Sequence, residues 1–141
     1  MADAKFEKMT TSDKALYGPC KLLMCGFPAG AQTKLSTVLG MAGLNAVPQV
    51  WVSREQAEML LSELFQLPGG KGLGISSDLP RAIIVAGITE KELIRLMTVC
   101  RKTGMKAALW ATLTPTSENW TLAELLAELS AERRAMQKKN K

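Results

Sequence analysis

Histidine is absent from all 141 residues of this chain. Its absence removes the side chain most used as a neutral-pH general base and the commonest metal ligand. Any Cys–His or Ser–His catalytic pair is thereby excluded. Cysteine is scarce: three residues, an odd number without a repeated spacing, argue against a disulfide framework and suit a reducing compartment. Cys20 and Cys25 bound a stretch that reads as extended, which puts their Cα atoms roughly 16 Å apart on opposite faces. A bridge needs them within ~7 Å. No apolar run reaches the ~18–20 residues of a bilayer-spanning helix, and the N-terminus lacks the charged-then-apolar layout of an export signal. A cytoplasmic location without membrane contact is the expectation. Excess charge is also missing from most of the chain. Residues 1–132 hold thirteen Lys/Arg and thirteen Asp/Glu, so the net charge of +5 comes from Arg133, Arg134, Lys138, Lys139 and Lys141. A nucleic-acid face would be spread over a folded surface, whereas this excess is a tail.

What is present is an ordered alternation of apolar runs and amphipathic stretches. With 47% apolar residues, 141 positions suffice for one domain with a real core. Residues 1–19 are polar and mixed in charge and read as a mobile arm. Lys21 to Phe27 predicts a strand buried on both faces. Gly26, Pro28 and Gly30 turn into a helix with the stripe Ala31, Leu35, Val38 and Ala42, closed by Gly43. Val47 to Ser53 predicts an edge strand carrying Trp51. Ser53 and Gln56 have the spacing of a capping box, predicting a helix over 54–67. Pro68 to Pro80 is a long loop holding Gly69, Gly70, Gly72 and Gly74.

Arg81 to Ala86 is a second continuous apolar run. Gly87 ends it, and Thr89 with Glu92 forms a capping box for a helix whose stripe is Leu93, Ile94, Leu96, Met97 and Cys100. Gly104 stops that helix, and Ala107 to Leu113 predicts a strand carrying Trp110. Thr121 and Glu124 form a third box, with Trp120 and Leu125 as its hydrophobic staple. The helix that follows is expected to dock as far as Arg134, leaving 135–141 as a basic tail. The folded body is then 20–134.

The two halves repeat. A shift of 61 residues sets Gly26 on Gly87, Leu35 on Leu96, Thr37 on Thr98, Val38 on Val99, Gly43 on Gly104 and Ala46 on Ala107. Trp51 and Trp110 correspond if two residues are gapped. The matches fall on turn glycines and buried helix positions, as a duplicated strand–helix–strand unit (20–53 and 81–114) requires. The resulting fold class is α/β. The long loop favours a ferredoxin-like arrangement, its second pair of elements antiparallel to the first, with the helices at 54–67 and 121–134 added. The alternative is a four-stranded parallel sheet in three α/β/α layers.

From about Leu79 to Glu132 the chain resembles a bacterial family known as domain of unknown function 3783. The strand ending Ala86-Gly87, the helix to Gly104, Ala111 to Thr116, Asn119-Trp120, and Leu122 to Leu129 with Glu132 carry the resemblance. It implies a small bacterial cytoplasmic domain and assigns no substrate, cofactor or catalytic residue.

The residues read against an enzyme. Glu55, Glu58 and Glu63, and Glu124, Glu128 and Glu132, repeat along exposed helix faces rather than converging. Gly69 to Gly74 lacks the Ser or Thr that follows the P-loop lysine. Neither a cofactor nor a metal is assigned. One asymmetry stands out: the second repeat's helix begins with Glu90 and Glu92, whereas the first has only Ala29 and Ala31 there. Its free N–H groups predict an anion site made by Gly26, Gly30 and Ala31, with Lys34 one turn on and Lys71 arriving on the glycine-rich loop. The expectation is a binding or regulatory domain for a small anionic ligand or a protein partner, with self-association left open. A nucleic-acid accessory role through the basic tail is the alternative.

Overall fold

The computed structural model describes residues 14–105 and 108–139. Its centre is two apolar strands, β1 (Lys21–Cys25) and β3 (Ala82–Ala86), paired antiparallel with Leu23 opposite Ile84. Those two residues are themselves related by the 61-residue repeat, so the pairing runs through the centre of the internal symmetry. Outside them lie β2 (Gln49–Val52), parallel to β1, and β4 (Leu109–Thr112), parallel to β3, giving the order β2-β1-β3-β4. Helices α1 (Ala29–Met41) and α3 (Glu90–Lys102) make the two crossovers. Shifted by 61 residues, α1 becomes α3 end for end, and the pair Leu22–Gln49 becomes Ile83–Trp110.

Alternation along the strands sends successive side chains to opposite faces. Leu22, Met24, Ile83 and Val85 pack under α1 and α3 with Leu35, Val38, Leu39, Leu93 and Leu96. Leu23, Cys25, Ala82, Ile84 and Ala86 face the other way, against Leu61, Leu64, Phe65, Leu122, Leu125 and Leu126. The cover on that second face comes from a single-turn helix, α2 (Leu61–Leu64), and the long α4 (Leu122–Lys139). A strand buried on both faces has to be apolar throughout, which is why β1 and β3 show no polar alternation.

The α/β class and the antiparallel relation of the halves agree with the sequence reading, but the strand order is not that of a split βαβ unit. Here β2 lies directly beside β1, whereas a ferredoxin-like sheet would insert β3 between them. The antiparallel β1–β3 pair equally excludes the all-parallel alternative. The tryptophans require a correction too: the ladders run without a gap, so Trp51 corresponds to Thr112 and Trp110 to Gln49. A displacement of two residues keeps the face, and both rings lie on the α1/α3 side.

The helix expected over 54–67 is broken into a 3₁₀ turn (Arg54–Gln56) and α2. The intervening carbonyls of Ala57 and Met59 accept from the N–H groups of Ala123 and Leu122, and Leu61 N–H donates to Trp120 O. Capping the first turn of α4 thus takes the backbone that a continuous helix would use. The expected arm 1–19 is anchored over its described part: Leu16 N–H donates to Ile88 O, and Gly87 N–H to Tyr17 O. Residues 1–13 lie outside the described residues. Helix α4 continues to Lys139, through most of the stretch read as a tail.

Gly26 and Gly104 share a left-handed φ, 75° and 74°, in different surroundings. A Cβ on Gly26 would come within 2.6 Å of the Pro80 carbonyl oxygen, whereas one on Gly104 would meet nothing within 4 Å. Gly104→Ala is expected to cost about 1–2 kcal/mol, the left-handed penalty alone. Gly26→Ala adds a backbone clash and is expected to cost more than about 3 kcal/mol. Chemical denaturation of the two variants checks this; equal losses would show that the Gly26 turn is not tightly closed.

Candidate functional site

The end of the sheet where β1 and β2 finish and β3 and β4 begin gathers the residues of interest. Helix α1 starts there, after Pro28, which supplies no side-chain cap of its own, and its first turn holds no acidic residue. Helix α3 starts at the opposite end with a complete box: Thr89 Oγ1 accepts from Glu92 N–H at 3.0 Å, and Glu92 Oε1 from Thr89 N–H at 2.8 Å. The asymmetry read from the sequence is therefore present.

The glycine-rich loop changes what that asymmetry can do. Ser76 Oγ accepts from Ala29 N–H at 2.9 Å, and Ala31 N–H donates to Pro28 O. Gln32, only 2% exposed, donates to Ile75 O at 3.0 Å and accepts from Gly74 N–H. The start of α1 is thus closed by the chain's own loop through a neutral hydroxyl and an amide. Gly30 and Lys34 are exposed beside it. Lys71 lies elsewhere on the loop, where Gly70 N–H donates to Gln49 O at 2.7 Å and Trp51 N–H to Lys71 O at 2.8 Å. The loop therefore covers the free edge of β2 before reaching α1. Sequence reasoning missed Gln32, whose signal was available: a polar residue three positions before Leu35 on the buried stripe.

A second group was also missed. Pro80, Arg81, Leu109, Ser130, Arg133 and Arg134 bound a recess of about 280 Å³ between the starts of β3 and β4 and the helix α4. The guanidinium of Arg81 lies 4.8 Å over the Phe27 ring, and Phe27 in turn meets Trp51 edge to face, their centroids 6.1 Å apart. Arg133 Nη2 donates to Ala108 O at 2.9 Å. Among the described residues, no carboxylate lines the recess. Asp78, the acid nearest Arg81 in sequence, is engaged by Arg54 at 3.0 Å. The spacing of Ser130, Arg133 and Arg134 is that of one helix face, a signal obscured when the two arginines are counted only as part of a basic tail.

On the other side of β4 lies an apolar groove of about 310 Å³, lined by Met97, Cys100, Met105 and Trp110, with Arg101 among its residues. The three cysteines are free: Cys20 is exposed, Cys25 and Cys100 buried. Burial pushes the Cys25 thiol up to about 12 and raises that of Cys100. Among the described residues, no group of three or more His, Cys, Asp or Glu could hold a metal ion. No helix among them is long and apolar enough to cross a membrane.

Residues 81–136 match a family described as a domain of unknown function, DUF3783. The match runs from Arg81, where β3 begins, into α4, and includes every residue bounding the arginine recess except Pro80. No curated protein and no solved structure matches the chain.

Thiol modification tests the burial. At neutral pH Cys20 is expected to react with a maleimide at the rate of a free thiol, whereas Cys25 and Cys100 react only after denaturation. The raised Cys25 value means that the folded state disfavours the thiolate. Its contribution to stability is therefore full below the unfolded value and declines as pH rises from there towards 12. Rapid labelling of Cys25 in the native protein would overturn this placement.

Proposed function

We propose that this chain is a non-enzymatic binding domain that takes the carboxylates of a protein partner at the recess bounded by Arg81, Arg133 and Arg134. The observation that carries the reading is the make-up of that recess: three arginines and a serine hydroxyl, without an acidic residue among them. The planar fork of arginine matches a carboxylate through paired hydrogen bonds and stays charged across the physiological range. Arg81 is already held against Phe27 and Arg133 against Ala108 O, so two of the three have less side-chain freedom to lose on binding. A cytoplasmic setting suits the three free cysteines.

A second reading keeps the small-anion site at the start of α1, with Gly26, Gly30, Ala31 and Lys34, and with Lys71 on the loop. The absence of an acid in the first turn supports it; an anion there would have to displace the Ser76 hydroxyl from Ala29 N–H. The partner reading ranks first because its arginines bound one recess in which Arg133 meets a neutral carbonyl, Ala108 O, rather than an internal carboxylate. A nucleic-acid role ranks below both, since sequence-tolerant phosphate binding draws on basic groups spread over a surface.

NMR titration of the full chain with a short oligoglutamate peptide is expected to shift the amides of Arg81, Leu109 and Ser130, with an effect that weakens as salt is raised. Arg134 is exposed, so Arg134→Glu should leave the fold intact and weaken binding about tenfold or more. Unmoved amides at ~1 mM peptide, a concentration that detects even weak complexes, would end the reading. Stronger binding of a single-stranded oligonucleotide to the same residues would replace it. Ala31→Glu tests the second reading: shifts caused by inorganic phosphate at residues 26–34 should be present in the native chain and lost in the variant.

A further inference from the structure

We infer that β4 is an acceptor edge, onto which an extended, acidic segment of a partner protein adds as a fifth strand; this rests on the carboxylate reading above and gives the partner its conformation. The internal repeat supplies the argument. Strand β2 is the counterpart of β4, and backbone groups on its outer edge are already taken by the turns of this chain's own glycine-rich loop. There Gly70 N–H reaches Gln49 O and Lys71 O receives Trp51 N–H. The repeat maps Gln49 onto Trp110 and Trp51 onto Thr112.

On β4, the N–H groups of Leu109 and Leu113 are turned inward to Arg81 O and Val85 O, so those of Trp110 and Thr112 face outward. Among the described residues, β4 pairs with β3 alone, and the one outward backbone group with a partner is the Ala108 carbonyl, held by Arg133. Unpaired edge groups of this kind accept another chain's backbone.

The two sides of the edge specify the chemistry of the incoming chain. An added strand sends alternate side chains to opposite faces of the sheet. On the α3 face they would meet the groove of Met97, Met105 and Trp110, which suits an apolar residue. On the α4 face they would meet Arg133 and Arg134, which suit Asp or Glu. The recognised pattern is therefore an extended segment alternating apolar and acidic residues. A second copy of this chain pairing β4 to β4 is disfavoured, because it would bring Arg101, Arg133 and Arg134 of both copies together.

The test uses the full chain and three synthetic peptides of about ten residues, a typical upper strand length. The first alternates Leu and Glu, the second alternates Leu and Lys, and the third is the Leu–Glu peptide with alternate backbone nitrogens methylated. The first should bind, shifting the amides of Ala108 to Leu113 and the methyl groups of Met97 and Met105. The second should not bind. The third should bind at least about tenfold more weakly, having lost two or more ladder hydrogen bonds. Thr112→Pro should reproduce that loss in the protein, since proline is tolerated where an edge N–H faces outward.

Equal binding of the methylated and unmethylated Leu–Glu peptides, with shifts at Arg81 and Ser130, would overturn the strand addition and leave the carboxylate reading standing. Binding by neither would overturn both. Concentration-dependent shifts at β4 without any peptide would identify a second copy as the occupant and overturn the partner assignment.

Discussion

The antiparallel pairing of β1 and β3 is the constraint from which the rest of this structure follows. It joins two βαβ units through Leu23 and Ile84, residues that the internal repeat makes equivalent. With that register, a half-turn about the sheet normal carries one unit onto the other. Both crossover helices then fall on one face, and the two parallel partners fall at the two outer edges. The opposite face of the central pair is left apolar and needs cover, which the two βαβ units do not provide. The segments that follow each unit, α2 and α4, start 61 residues apart, supply that cover and are tied to each other through the carbonyls of Ala57 and Met59. A one-residue slip between β1 and β3 would exchange the side chains of the two cores.

Function in this architecture arises where the symmetry is broken. The two helix starts carry equivalent glycines, φ 75° at Gly26 and 71° at Gly87, yet one is capped by its own Thr–Glu box and the other by a serine from a distant loop. The two sheet edges carry equivalent backbone, yet the loop that closes α1 also covers β2, and among the described residues no segment pairs with the outer edge of β4. Helix α4, whose first turn is the 61-residue counterpart of the single-turn α2 but which runs on to Lys139, brings Ser130, Arg133 and Arg134 to the start of β4. The cations, the apolar groove and the open edge are thus consequences of what the second half gained and of what the first half alone received.

Much of the frame was legible in the sequence because its signals are local. Continuous apolar runs marked the strands buried on both faces, and the 61-residue recurrence of Gly26, Leu35, Gly43 and their partners marked the repeat. The Thr89–Glu92 and Thr121–Glu124 boxes fixed two helix starts, since capping needs only residues three apart. The candidate site was legible in part. The lack of an acid in the first turn of α1 was read correctly, but its N–H groups are not free: the closure by Ser76 and Gln32 joins positions more than forty residues apart, beyond any local spacing rule.

The sequence by itself determined the repeat, the strands and the two crossover helices, and the absence of histidine chemistry. Each of these depends on residue identity or on short-range periodicity. Only the tertiary structure decided that β2 lies beside β1 rather than across β3. Two adjacent βαβ units and a split pair use the same apolar strands and the same crossover helices. They differ in which backbone groups meet, and backbone hydrogen bonds carry no sequence label. The same holds for the glycine-rich loop, whose composition allows it to move or to pack. The long-range bonds to Gln49, Trp51, Ala29 and Gln32 place it along β2, whereas β4, among the described residues, pairs with β3 alone.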